Sequence, residues 1–197
     1  MKMKNRLLMC IRLCLAIAAF VAVGKAQAGE TYVQLVARLS NTGSAQHIFQ
    51  PELEAQLFNL ANAFRQANGL PALQRDPKMV TAARAHAADM LQHHFLGHTA
   101  STGQGFDSRM RALRNGAMVL PPMGENAVMY RSTHLVRASL AQKLFQSWVN
   151  SADHRHTLLS RDYLKVATGV ALSAGEAYAD QIFTGPEVTT NMQRAVQ

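Results

Sequence analysis

Cysteine is almost absent from this sequence of 197 residues. The two cysteines, Cys10 and Cys14, both lie within the first 28 residues. From residue 29 onward the sequence therefore excludes a disulfide framework and thiol catalysis. Such a domain has to be held together by the burial of apolar side chains, and about 150 residues are enough for one core.

Acidic residues are also scarce, since 12 aspartates and glutamates stand against 20 lysines and arginines, a formal net charge of +8. Five of the basic residues, and no acidic one, precede Gly29. Without them 15 basic residues face 12 acidic ones, which leaves +3 and no basic run. Electrostatic support for nucleic-acid binding or for a polybasic membrane contact is therefore small.

Several catalytic motifs are missing as well. The sequence contains no Gly-x-Ser-x-Gly, no phosphate-binding loop and no dinucleotide fingerprint. This disfavours serine-nucleophile, phosphoryl-transfer and hydride-transfer chemistry. Among enzymatic reactions, hydrolysis by a water activated through a metal or a glutamate is the one that the residues allow.

The first 28 residues have the pattern of a signal peptide. Four basic residues precede an apolar run at 13–23, and Ala26-Gln27-Ala28 offers small residues for cleavage. The run is too short to cross a bilayer comfortably. We expect cleavage after Ala28 and export to the periplasm or beyond the cell, with no stable membrane anchor left. A retained signal anchor is the alternative, because Lys25 interrupts the pattern.

Helical periodicity begins at Pro51 and continues to Asn68-Gly69. Further helices are expected at 77–92, after the helix start Asp76-Pro77, and at 106–114. A long helix capped by Ser132 should follow. Residues 29–50 are compatible with a short helix or an edge strand, and we treat them as an N-terminal extension.

After Asp162 the residue types alternate with the two-residue period of a β-strand. Alternating residues at 166–172 and 178–182 flank a turn at 173–176 and predict a β-hairpin. A lone hairpin is unstable, so residues 127–130 are expected to add a third strand. The predicted fold class is α+β, with helices around a small, largely antiparallel sheet. One domain at 51–186 and a C-terminal tail at 187–197 complete the organisation.

A set of short motifs occurs in a fixed order along the chain: His98 to Gly103, Phe106 to Arg109, Gly124 to Ala127, Trp148, Ser151 to Arg155, Leu158-Leu159, and Gly169-Val170 with Tyr178 and Gln181. This ordered set resembles the bacterial branch of the SCP/CAP superfamily. That superfamily includes cysteine-rich secretory proteins, insect venom antigen 5 and plant pathogenesis-related proteins. The resemblance runs from about Leu57 to Phe183 and implies an α-β-α sandwich.

The resemblance also implies a cleft lined by His98, Glu125 and His154, in which the two histidines can hold a divalent metal such as zinc. In the family a second glutamate follows the tryptophan, but Ser151 stands at that position here. Asp153 replaces the glycine that relatives tend to have before the second histidine. These departures imply a weaker metal site or none.

The residue types themselves suit this chemistry, because imidazole and carboxylate are ligands that zinc accepts. Glu125 is a candidate third ligand, or a candidate catalytic group that orients a metal-bound water. The alternative is a structural network in which Glu125 accepts amide hydrogen bonds from its own glycine-rich loop. Asn126 is expected to support the same loop, and Ser151 and Asp153 are expected to support the site.

Other polar residues receive structural interpretations. Arg109 is as suited to bracing the segment 106–114 as to meeting a ligand. His86 and His93 are expected at a helix edge or on the surface. Trp148 lies on the apolar stripe of the long helix and is expected in the core.

Two classes of function follow. The first is an exported, monomeric, non-enzymatic module that binds a small molecule, a lipid or sterol, a cell-wall component or a protein. The second is a metal-dependent, peptidase-like hydrolase that uses Glu125 and a metal-bound water. The missing second glutamate favours binding, although the fold supports both functions.

Overall fold

The computed structural model describes residues 30–188. The expected signal peptide at 1–28 and residues 189–197 of the expected tail lie outside this range. Within it the chain forms six helices and four strands, in the order α1 (Tyr32–Ala45), α2 (Pro51–Ala67), β1 (Gln74–Arg75), α3 (Val80–His93), α4 (Phe106–Leu113), β2 (Met123–Arg131), α5 (Arg137–Asn150), α6 (Ala152–Leu159), β3 (Lys165–Ser173) and β4 (Glu176–Thr184). None of these helices is both long and apolar enough to cross a membrane.

The four strands form one sheet in the order β1-β3-β4-β2. β3 and β4 are the predicted hairpin, and its turn residues Ala174 and Gly175 have positive φ angles of 47° and 82°. β2 pairs antiparallel with β4 along its whole length, beyond the predicted 127–130. β1 adds a short parallel pairing with β3. The sheet is therefore largely antiparallel, as predicted, and β2 is an edge strand.

Alternation along the strands divides the core into two halves. One face of the sheet packs on α2, α5 and α6 around the fully buried Trp148. The other face packs on α1, α3 and α4. The two helical layers around one sheet confirm the predicted α-β-α sandwich, and Trp148 is confirmed as a core residue.

Helix α3 lies very close to the sheet because its buried face consists mainly of alanine. Gly169 of β3 is the point of closest approach, where an added Cβ would overlap with the backbone of Ala83 and Arg84. A glycine is therefore required here by space. This packing fixes the position of α3 relative to the strands.

The N-terminal segment forms helix α1 rather than an edge strand. The Thr31 hydroxyl accepts from the Gln34 N–H at 3.3 Å, while the Gln34 side chain accepts from the Thr31 N–H at 2.9 Å. This capping box fixes the first turn. Tyr32, Leu35 and Leu39 are buried against the helical layer that contains α3.

The end of α6 is anchored by Arg65 of α2. The guanidinium is fully buried, and its Nη1 donates to the carbonyls of Leu158 and Ser160, both at 2.8 Å. These bonds satisfy carbonyls at the C-terminus of the helix. Helix α6 is thereby held in the layer opposite α3.

Two predicted helix starts are shifted. Ser132 does not cap the long helix, because its N–H pairs with the carbonyl of Gly175 at 3.0 Å beside the sheet, and α5 begins at Arg137. Residues 77–79 form a turn in which the Asp76 carboxylate accepts from the Lys78 N–H at 3.1 Å. Helix α3 begins only after this turn.

Candidate metal and ligand site

The motif Gly124-Glu125-Asn126 lies in the edge strand β2, so the prediction of a glycine-rich loop is wrong. Its backbone pairs with β4 throughout. Gly124 leaves room for the side chains of Tyr163 and Thr157, which an added Cβ would press against. Since successive side chains of a strand point to opposite faces, Glu125 faces α3 and α4 while Asn126 faces α6.

The carboxylate of Glu125 is buried against Arg109 of α4. Nη2 of Arg109 lies 2.7 Å from each carboxylate oxygen, and the two side chains are 2% and 0% exposed. The guanidinium carbon is 5.5 Å from the ring centres of Tyr32 and Phe106. Arg109 is thus the counter-ion of Glu125. The spacing of Phe106 and Arg109, on one face of a helical turn, was the available hint of this role.

His98 connects this buried pair to the solvent. Its Nδ1 lies 2.8 Å from Oε2 of Glu125, and its carbonyl accepts from Nη2 of Arg109 at 3.0 Å. Its side chain is 51% exposed. The hydrogen bond to Glu125 raises the pKa of His98 above its ordinary value. An Nδ1–H that donates to Glu125 leaves Nε2 as the nitrogen that can accept a cation.

The loop that carries His98 is fixed from α3. The buried carboxylate of Asp89 accepts from the Ser101 N–H at 2.8 Å and from its hydroxyl at 2.6 Å. On the other side of His98, the carbonyl of Gly97 accepts from Nε2 of His86 at 2.9 Å. His98 is therefore held at both flanks, as a preorganised binding group requires.

His154 reaches the same region from the opposite layer, in the first turn of α6. Its carbonyl accepts from Nδ2 of Asn126 at 3.1 Å, which ties α6 to β2. Asn126 thus supports the site through a contact across the layers, and not through its own segment as expected. Burial and then the charge of His98 lower the pKa of His154. The charge of His98 therefore acts on His154 across the edge of the sheet.

Ser151 and Asp153 flank His154. Ser151 joins α5 to α6 through its backbone, with its N–H donating to Trp148 at 3.2 Å and its carbonyl accepting from Arg155 at 2.9 Å. Its side chain makes no capping bond. The charge of Asp153 acts in the opposite direction to burial on the pKa of His154.

Two further titratable residues lie beside Glu125, and neither was predicted for the site from the sequence. His86 of α3, expected at a helix edge or on the surface, and Asp180 of β4 are 0% exposed. One ligand atom from each of His86, Glu125 and Asp180 lies within 4.8 Å of the other two, and we call these residues the inner cluster. The signal for Asp180 was its place between Tyr178 and Ile182 in an alternating strand.

The two carboxyl groups of the inner cluster titrate differently. Burial raises the pKa of Asp180 well above its ordinary value, and the charge of Glu125 raises it further. Burial also acts to raise the pKa of Glu125, but the hydrogen bond from His98 and the charge of Arg109 outweigh it and hold this pKa below its ordinary value. Asp180 therefore keeps its proton to a higher pH than Glu125 does.

A cation fits better at the outer edge of the site, at His98 and His154, than in the inner cluster. In the inner cluster the guanidinium of Arg109 already lies against both oxygens of Glu125. A metal there would have to compete with this charge. At the outer edge, the carboxylate of Glu125 holds Nδ1 of His98, which is the usual arrangement behind a metal-binding histidine. His154 offers a second imidazole.

Fold and site together define an α-β-α sandwich with a polar site at its edge strand, where His98 contacts the buried carboxylate of Glu125 and the carbonyl of His154 contacts the adjacent Asn126. The model of the cysteine-rich secretory protein family, CAP, matches residues 58–185. The chain belongs to this family, which confirms the resemblance seen in the ordered motifs.

Two proteins of Bacillus subtilis are similar in sequence. The uncharacterized protein YkwD is 26% identical over 129 residues, which are 65% of this chain and 46% of that protein. The uncharacterized membrane protein YlbC is 28% identical over 121 residues, which are 61% of this chain and 32% of that protein. The chain thus spans less than half the length of either relative.

Solved structures share the fold. An extracellular protein containing an SCP domain from Bacillus anthracis has a TM-score of 0.56 at 23% identity, over 70% of this chain and 41% of that chain. An outer surface protein of Borrelia burgdorferi has a TM-score of 0.58 at 15% identity, over 69% of this chain and 94% of that chain. At these identities the likeness establishes the fold.

Proposed function

We propose that this chain is an exported, non-enzymatic binding module of the CAP family, whose cleft holds a divalent cation, zinc first of all, between His98 and His154. Its ligand is a small molecule, a lipid or sterol, a component of the cell envelope or a protein. The proposal rests on the hydrogen bonds of Glu125. Both of its carboxylate oxygens accept hydrogen bonds from Arg109, and one of them also accepts a hydrogen bond from His98.

Hydrolysis by a metal-bound water is the less favoured function. A general base works best when its pKa lies near the working pH and its oxygen can reach the water. The side chain of Glu125 is 2% exposed, its oxygens are occupied, and its pKa lies below the ordinary value. Ser151 also stands where the family resemblance implies a second acid. These features support binding.

The same contacts support cation binding by His98. A carboxylate that accepts the Nδ1–H fixes the tautomer and the orientation of the ring and increases the basicity of the other nitrogen. With His154 as a second ligand, two imidazoles would hold the cation and leave further coordination positions for water or a ligand atom. The cation would then supply a positive charge for ligand recognition.

Export is supported by the leader pattern at 1–28 and by the structural neighbours, one described as extracellular and another as an outer surface protein. We place the protein in the periplasm or outside the cell. With a net charge of +3 after removal of the leader, nucleic acid is not proposed as a partner. We propose a monomer without a membrane anchor after cleavage.

Calorimetric titration of chelator-treated protein with Zn²⁺ tests the cation site. We expect the wild type to bind one equivalent, and His98→Ala and His154→Ala each to weaken binding by about tenfold or more, because each removes one of two imidazole ligands. His134→Ala is the matched control, since His134 is an exposed histidine before α5. Unchanged affinity in both site variants would disprove the site.

Assays on the same zinc-loaded protein distinguish binding from hydrolysis. We expect no cleavage of a fluorogenic peptide library, and binding in a panel of sterols, lipid vesicles and peptidoglycan that is weakened in His98→Ala. Zinc-dependent peptide cleavage that disappears in Glu125→Gln would overturn the proposal in favour of a hydrolase. A negative result across the whole binding panel would remove the proposed lipid and cell-wall ligands.

A further inference from the structure

Helix α1 supplies a side chain to the buried network behind the cleft. Tyr32, its first residue, is buried, and its hydroxyl accepts a hydrogen bond from Nη1 of Arg109 at 3.3 Å. Its ring centre lies 5.5 Å from the guanidinium carbon. Burial raises the pKa of Tyr32 to about 12, so the hydroxyl stays neutral. Tyr32 therefore contacts the guanidinium group that neutralises Glu125.

The terminal nitrogens of Arg109 divide their partners between the cleft and α1. Nη2 donates to both oxygens of Glu125 and to the carbonyl of His98. Among residues 30–188, Nη1 has the hydroxyl of Tyr32 as its one hydrogen-bond partner. Because a guanidinium group is planar and rigid, fixing Nη1 also fixes the direction in which Nη2 donates.

Tyr32 lies outside the segment 58–185 that matches the family model. Its helix is nonetheless firmly attached to the domain. Leu35 and Leu39 are buried in the same core cluster as residues of α3, and the Thr31 capping box fixes the turn that contains Tyr32. The contact with Arg109 is therefore held by the packing of α1.

We propose that Tyr32 is a positioning residue of the cleft. Through Arg109 it orients the carboxylate of Glu125, and through Glu125 it holds His98 in the tautomer that leaves Nε2 available. The consequence for cation affinity rests on the proposed function, whereas the consequence for the His98 tautomer does not. The functional unit of this chain then begins at α1, ahead of the first residue matched by the family model.

Two substitutions in the full chain separate the hydroxyl of Tyr32 from its ring. Tyr32→Phe removes the hydroxyl alone, and Tyr32→Leu removes the ring as well but keeps an apolar side chain. Leu39→Ala is the matched control, because it removes buried volume from the same helix about two turns after Tyr32. Nitrogen NMR of the His98 imidazole in zinc-free protein reports the tautomer, and Zn²⁺ titration reports the affinity.

We expect both Tyr32 variants to lower the population of the Nδ1–H tautomer of His98 and to weaken Zn²⁺ binding by about threefold to tenfold, with the larger effect in Tyr32→Leu. Leu39→Ala should change neither readout. Wild-type tautomer and affinity in both Tyr32 variants would overturn the inference, and so would equal changes in Leu39→Ala.

The two readouts distinguish a failure of this inference from a failure of the proposed cation site. If the wild type binds no Zn²⁺, the proposed cation site fails, and the tautomer measurement alone decides the role of Tyr32. If Tyr32→Leu does not fold, Tyr32→Phe decides, because it preserves the packing of α1.

Discussion

Arg109 allows Glu125 to remain ionised inside the protein. An isolated buried carboxylate is very costly, whereas one that is paired and hydrogen-bonded is tolerated. The same guanidinium bonds to the carbonyl of His98 and contacts Tyr32. A change at this one residue therefore affects both the stability of the fold and the geometry of the cleft.

The substitution Arg109→Met removes the charge while keeping a long apolar side chain. We expect the free energy of unfolding to fall by about 3–5 kcal/mol in urea denaturation at neutral pH, because Glu125 is left buried without its counter-ion. The double variant Arg109→Met/Glu125→Gln should recover part of this loss. Arg38→Met, which breaks the exposed pair with Glu30, is the control and should cost about 0–1 kcal/mol. An equally small loss in Arg109→Met would contradict this account.

Asp180 makes the stability of the folded protein depend on pH. Burial and the charge of Glu125 raise its pKa in the folded protein well above the usual 3.8, so the folded state binds this proton more tightly than the unfolded state does. Its contribution to stability is present below about pH 4 and is lost as the pH rises through the folded pKa.

Asp180→Asn removes this titration without adding a charge. We expect the stability of this variant relative to the wild type to increase as the pH is raised from about 4 to about 8, measured by urea unfolding at several pH values. The comparison cancels the titration of those groups whose pKa does not depend on Asp180. A difference that does not vary with pH would show that the pKa of Asp180 is not raised.

At the scale of elements, the contact between α3 and β3 positions much of the site, because α3 carries His86 and Asp89. Gly169→Ala would place a Cβ against the backbone of Ala83 and Arg84 and push the helix away from the sheet. We expect a loss of about 1–3 kcal/mol or more in urea unfolding.

Gly97→Ala is the matched control for the glycine substitution. Beyond the two adjacent residues, no heavy atom lies within 4 Å of a Cβ added at this position. Its cost should stay within about 0.5 kcal/mol. Equal costs at Gly97 and Gly169 would show that close helix packing is not the reason for the glycine in β3.

Periodicity predicted most elements, because burial repeats every 3.6 residues in a helix and every two in a strand. It did not extend β2 back to Glu125 and Asn126, since two consecutive buried polar residues break the alternation of a strand. Periodicity also did not decide whether the segment of α1 forms a helix or a strand. There the burial of Tyr32 and Leu39 depends on α3, which is distant in sequence.

The site was predictable only in part. His98, Glu125 and His154 stand out because each lies in a short polar motif near the end of an apolar pattern. The burial of Arg109 and Asp180 could not be predicted from the sequence. A charged residue is buried only where it has suitable partners, and the partners of these two residues come from other helices and strands. Only the packing of α4 and β4 around Glu125 reveals them.

For the whole molecule, bound zinc should raise the thermal stability. A cation that binds only the folded state stabilises it by about 2.7 kcal/mol at a concentration 100 times its Kd. For a domain of this size that corresponds to a rise in Tm of about 5–10 °C. Scanning calorimetry with and without Zn²⁺ measures the rise, which should fall to about half or less in His98→Ala. No rise at saturating Zn²⁺ would count against a cation site in the folded protein.

His98, in the loop between α3 and α4, and His154, in α6, contact consecutive residues of the edge strand β2 that face opposite sides of the sheet. An ion held by both rings would cross-link the two sides of β2, in a domain that has no cysteine to form a disulfide cross-link. Amide hydrogens along β2 would then exchange with solvent more slowly when the ion is present. The supply of metal would in this way set the rigidity of one flank of the protein.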